Sequence, residues 1–234
     1  MTDTAMPKSL SSQFEETGLS ARRLLFEVGD LAEMSHTRGR ILRGTASVFA
    51  EKGADGTTVA DILQEAKVSR RTYYQYFSNK EAALDALFEL ATDGFANALT
   101  AAIADLDSPL VKLERAVSLY LELQYLGGAL VIELQAEGIR PGSRLAQRRR
   151  RTLNFLVELF SENVEASVGK VFDPLVFQAL IFALEGLCIH LHREGSFNQE
   201  TAERVKSIVM PMVGRCFARE GEKLPALPLA FDLS

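Results

Sequence analysis

Cysteine and histidine are scarce in this 234-residue chain, with two of the first (Cys188 and Cys216) and three of the second. Two cysteines are too few for a disulfide scaffold, and their spacing is not that of a zinc site. His190 and His192 stand two apart in a helical stretch, on nearly opposite sides, so they are poorly placed to share a metal. Strand-like alternation is also rare, and there is no glycine-rich phosphate loop, no paired carboxylates on a helix and no internal repeat. An enzyme needing a nucleophile–base pair, metal ligands or a phosphate cradle finds little support here. The chain is read as a non-enzyme, with no cofactor and no metal expected. The opening residues lack the basic-then-apolar layout of a secretory signal. The most apolar stretch, 174–191, is broken by Gln178, Glu185 and His190, which favours a buried helix over a membrane span. A cytoplasmic location, with no membrane partner, is the expectation.

What is present is an ordinary globular composition, 47% hydrophobic and 24% charged, which excludes wholesale disorder. The net charge of −5 hides an asymmetry. Between Arg38 and Lys80 eight cations face four anions, so that this segment is +4 and the remainder −9. A basic module on an acidic body fits a protein that touches phosphate at one end only.

Apolar residues recur at three and four, so the fold class is all-α. Residues 1–36 read as an N-terminal extension in which Ser20 could cap a short helix over 20–34; a frayed arm is an equal reading. Helices are predicted over 37–52, 59–64, 69–77 and 80–106, then near 109–126, 129–137, 143–168, 174–194 and 199–219. Glycine and proline mark the breaks: Gly53, the Gly127–Gly128 pair, Arg140-Pro141-Gly142, Asp173-Pro174 and Gly195. The tail, 222–234, contains two prolines and is not regular helix. The organisation is thus an N-terminal three-helix unit over 37–83 and a C-terminal helical bundle over 84–221.

Two short helices joined by a tight turn at Ala66–Lys67, behind a supporting helix, form a helix-turn-helix. A duplex major groove admits one helix, which must be short and polar on its outer side. In the stretch 69–77, Tyr73 and Phe77 are i,i+4 neighbours able to face inward against Phe49, Ile62 and Val68. Arg70, Arg71, Thr72, Tyr74, Gln75 and Tyr76 are left for the outer face. Arginine matches guanine, and glutamine matches adenine, through paired hydrogen bonds. Tyrosine hydroxyls and Thr58 suit phosphate oxygens, and Lys80, at a helix start, adds charge there. The plainer reading is a solvated helix face over two core aromatics.

The context of these residues decides between the two. Ile41-Leu42, Ala46, Phe49, Gly53, Thr57-Thr58-Val59, Asp61-Ile62, Ala66, Val68-Ser69, Thr72, Tyr74, Tyr76-Phe77, Lys80-Glu81 and Leu84 together resemble the DNA-binding segment of the tetracycline-repressor (TetR) family. The likeness runs for about fifty residues without a gap, with only the layout of further helices beyond it. It implies a ligand-responsive transcription regulator, usually a repressor, that binds palindromic double-stranded operator DNA as a homodimer. It implies base contacts from Arg70, Arg71, Thr72 and Gln75, and phosphate contacts from Thr58, Ser69, Tyr74, Tyr76 and Lys80. Three departures stand out. Lys67 holds a turn position where glycine is common and so needs a left-handed backbone, Leu63 replaces a small residue, and Arg71 stands where a small residue is frequent.

In the bundle, the helices near 174–194 and 199–219 make the best dimer seam. Val205, Ile208, Val209, Met212, Val213 and Cys216 form a stripe, and 175–191 is apolar nearly all round, so it must be covered on every side. A wholly internal hairpin is the alternative, and Pro211 is expected to kink the last helix. A mostly apolar cavity for a small-molecule effector is expected in the middle helices. Phe88, Phe95, Leu123, Phe155, Phe177 and Ile181 are its candidate walls, and Tyr120, Gln124, Glu133 and Asn154 its candidate polar contacts. Each of these is individually read more plainly as ordinary core or surface. The run of four arginines from Arg148 to Arg151 steps by about 100° per residue, so at least one should point inward or to a partner. Arg148 and Arg151 are candidates for an anionic head group; pairing with Glu133 or Glu137 is the alternative. A helical lipid or small-molecule carrier, or an adaptor without operator activity, is the second function these features allow.

Overall fold

The computed structural model describes residues 37–217, and every regular element among them is an α-helix. The proposed helix over 20–34, the tail over 222–234 and the last residues of the bundle therefore lie outside the described residues. In order the helices are α1 (Thr37–Gly56), α2 (Val59–Ala66), α3 (Arg70–Tyr76), α4 (Lys80–Ile103), α5 (Pro109–Ile139), α6 (Leu145–Val168), α7 (Pro174–Arg193) and α8 (Gln199–Phe217).

Local chemistry sets the N-terminal unit. Gly53, at φ 66° and ψ −178°, interrupts the helical backbone of α1 where the sequence places a stop. Thr58 and Asp61 cap α2 reciprocally, each side chain accepting from the other's backbone N–H, and the Lys52 ammonium holds Asp61 at 2.9 Å. Lys67 ends α2 in the left-handed conformation (φ 53°), as its turn position demands. Arg40 eases that end by donating to the carbonyls of Ala66 (2.9 Å) and Lys67 (2.5 Å), which α2 leaves unpaired. α1 crosses α2 at Gly44, where a methyl group would meet the Ala66 backbone nitrogen at 2.9 Å.

One hydrophobic cluster runs through this unit and beyond it: Ile41, Phe49, Ile62, Tyr73 and Phe77 pack with Leu84, Leu87 and Phe88 of α4, Leu134 of α5 and Leu145 of α6. The head is thus built onto the body. Arg140, at the end of α5, adds an exposed contact to Asp55 in the α1 end at 3.2 Å.

The body owes its shape to a bend. The breakpoint expected at the double glycine falls on Gly128, with φ 49° and ψ −132°, inside what is otherwise one run of helix. Gln135 beyond the bend donates to the Tyr120 hydroxyl before it at 2.9 Å. In a straight helix fifteen residues would separate them by about 22 Å, so the bend is sharp and brings two halves of α5 face to face. The helix α8 continues through Pro211 to Phe217.

Candidate nucleic-acid interface and internal cavity

α3 is held by its own ends and by its inner face. Ser69 caps it by accepting from the Thr72 N–H at 3.1 Å, and the two hydroxyls lie 2.8 Å apart. Tyr73 is fully buried and donates its hydroxyl to the Asn79 carbonyl at 3.0 Å; its ring meets Phe77 at 5.9 Å. Burial pushes the Tyr73 hydroxyl up to about 12, so it remains a donor across the neutral range. With that pair inward, Arg70, Arg71 and Gln75 are exposed, Tyr74 and Tyr76 are 48% and 45% exposed, and Thr72 is half-buried. No acidic residue lies in the first turn of α3. The outer side is polar, cationic and open, as a groove-entering helix requires.

Two residues expected at phosphate have other partners. The Lys80 ammonium donates to the carbonyls of Ala54 (2.9 Å) and Thr57 (2.8 Å), with Asp55 at 3.5 Å, so its N–H groups face the α1–α2 loop rather than open solvent. Position at a helix start put it beside a loop whose carbonyls lack helical partners. Thr58 is exposed, but its hydroxyl is engaged by Asp61 at 2.6 Å.

Behind the head lies a cavity of about 600 Å³, walled by α1 and α4 to α8. Phe88, Phe95, Tyr120, Leu123, Phe177 and Ile181 line it as the sequence suggests. The other expected contacts do not. Gln124 is fully buried elsewhere in α5, and Glu133 turns toward Gly53 of α1. Asn154, Phe155 and Arg151 are exposed on the outer side of α6. Arg148 leaves the cavity for α4, donating to Asp85 at 2.5 and 3.1 Å and to Glu89 at 2.9 Å.

The arginine that enters is Arg149, ion-paired with Glu185 of α7. Neither Glu133 nor Glu137 takes the inward arginine; Glu137 binds Arg140 and Ser143 instead. Periodicity held this signal: position 149 lies on the inner stripe with Leu145, Leu153, Leu156 and Phe160. Gln135, Thr92, Thr152 and Glu185 are further polar lining residues that sequence reasoning missed. Desolvation holds the Tyr120 hydroxyl well above its usual range and pushes the buried Cys188 thiol up to about 12, so both are neutral.

The seam helices divide by face. Val205 and Val213 are buried within the chain, against expectation, because they pack on α5 and on Phe177 and Phe217. Leu175, Ala179, Phe182, Ala183 and Gly186 of α7 and Met212 and Cys216 of α8 are exposed.

Comparison with known proteins agrees with this geometry. The sequence profile of the bacterial regulatory proteins, tetR family, matches residues 41–87. The uncharacterized HTH-type transcriptional regulator YdeS of Bacillus subtilis is 29% identical over 158 residues, 62% of this chain and 79% of the relative. The HTH-type transcriptional repressor KstR2 of Mycobacterium tuberculosis is 34% identical over 90 residues, 38% of this chain; the match spans under half of that repressor, 43%. In fold, the chain resembles the transcriptional regulator FadR from Bacillus subtilis, solved in complex with stearoyl-CoA. That likeness has a TM-score of 0.59 at 21% identity, over 73% of this chain and 96% of that one. Residues 41–87 thus match the tetR family of bacterial regulatory proteins, and they form a helix-turn-helix with its outer face open on an all-helical body.

Proposed function

We propose that the protein is a one-component repressor that grips a palindromic operator as a homodimer and lets go when a small, mostly apolar effector fills the cavity. The exposed cationic face of α3, set opposite the buried Tyr73–Phe77 pair, is the observation that carries this reading. Arg70, Arg71, Thr72 and Gln75 read base edges; Ser69, Tyr74 and Tyr76 meet the phosphate backbone, joined by Thr58 once its hydroxyl turns from Asp61. Lys80 braces the loop that presents Thr58. The exposed apolar faces of α7 and α8 are covered by a second copy, with Gly186 permitting close approach. Twofold symmetry then sets the two reading helices about 34 Å apart, one turn of duplex.

The effector acts by preferring a body shape in which the heads no longer fit successive grooves. α4 runs from the head to the cavity wall and transmits that shape. Repression follows the related transcriptional repressor KstR2, and ligand control follows the cavity. Such a regulator works in the cytoplasm, beside its DNA.

Gel retardation with DNA flanking the protein's own gene tests the reading. Specific, salt-sensitive retardation is expected. Failure to retard that DNA, with and without ligand extracts, would leave a helical carrier as the better account.

A further inference from the structure

The cavity is long and almost wholly apolar, and its two buried ionic groups cancel. Along α4 the lining runs from Leu87 to Leu99, which at 1.5 Å per residue is about 18 Å. The ionisable side chains on the lining are Arg43, Tyr120, Arg149 and Glu185. Arg43 is exposed on α1, and Tyr120 is neutral. Arg149 and Glu185, only 19% and 12% exposed, neutralise each other. Two buried lining atoms have no hydrogen-bond partner among the described residues: the Arg149 Nε, a donor, and the Gln135 Oε1, an acceptor.

A carboxylate can only accept, so it would leave Gln135 Oε1 unmet. It would also bring a second negative charge toward the desolvated Glu185 carboxylate. A hydroxyl or a primary amide both donates and accepts, and carries no charge. Resting on the effector-controlled reading given above, we propose that the effector is an uncharged, elongated amphiphile whose hydroxyl or amide group is recognised by Arg149 and Gln135.

Calorimetric titration of the full chain at pH 7.5 with 1-dodecanol and with dodecanoate tests this directly. Dodecanol should bind at least about tenfold tighter, the cost of desolvating a charge beside a like charge. Glu185→Gln, which leaves Arg149 without its counter-charge, should reverse the order. Gln135→Leu should weaken dodecanol about tenfold and leave dodecanoate nearly unchanged; it is the deciding variant if Glu185→Gln fails to fold. Equal or tighter binding of dodecanoate by the native chain, equal weakening of both probes by Gln135→Leu, or no binding of either probe overturns the proposal. Gel retardation on the same preparation separates the two readings. Operator binding with the wrong ligand preference sinks the effector class alone, and dodecanol binding without retardation sinks the regulator while sparing the cavity.

Discussion

Arg148 of α6 grips Asp85 of α4 through two hydrogen bonds, 2.5 and 3.1 Å, while its neighbour Arg149 pairs with Glu185 of α7. One turn of α6 thus ties the helix that carries the head to a helix of the apolar outer face. Removing the first tie should unlink them. Arg148→Ala is expected to bind operator normally and to lose stability by no more than about 1 kcal/mol, because the pair is partly solvated. Effector-driven release, followed by fluorescence anisotropy of labelled operator, should be blunted. Full native release would show that this tie transmits nothing.

Tyr73 gives a graded test of how α3 is held. Tyr73→Phe deletes one hydrogen bond and should cost about 1 kcal/mol. Tyr73→Ala opens a cavity under the reading helix and should cost about 3–5 kcal/mol. Urea unfolding measures both, and equal effects would contradict the packing described.

Lys80 and Arg71 should separate by salt dependence. Arg71→Ala is expected to relax sequence preference by about 1–3 kcal/mol at one base position. Lys80→Ala should lower thermal stability, since it strips the Ala54 and Thr57 carbonyls of a charged donor, while leaving the logarithmic salt slope of operator binding close to native. A slope reduced by about one would return its ammonium to a phosphate.

Gly128 holds a backbone conformation that other residues adopt only under strain. Gly128→Ala should cost about 1–3 kcal/mol and loosen the Tyr120–Gln135 contact. Its open surroundings rule out a steric cause. Circular-dichroism melting reports the loss, and an unchanged melting temperature would exclude a strained bend.

Alkali should act through the buried tyrosines. Tyr73 in the folded chain titrates near 12, above the ordinary value of 10, and Tyr120 is shifted the same way. A group with a raised folded value supports the fold fully below its unfolded value and loses that support as pH rises. Stability should therefore fall from about pH 10 upward, with part of the tyrosinate absorbance near 295 nm appearing only on unfolding.

The head was legible because its signals are local. The Gly53 interruption, the left-handed Lys67 and the i,i+4 aromatic pair each depend on neighbours within a few residues, and all appear where the sequence placed them. The cavity was legible in its apolar walls and not in its polar groups, because a stripe marks a face while an ion pair depends on two helices meeting. Glu185 reads as an interruption of an apolar run until Arg149 is seen across from it. Lys80 misled for the same reason, since its partners lie some twenty-five residues upstream in a loop whose carbonyls no pattern advertises.

Leu134 and Leu145 sit in the same cluster as Phe49 and Tyr73, and this has a consequence for how the molecule comes apart. A fragment cut after residue 83 would lose the floor on which its aromatic residues rest, so the head is not a detachable module. It should melt in step with the bundle, and a movement of α5 or α6 can reach the exposed side chains of α3 without crossing a hinge.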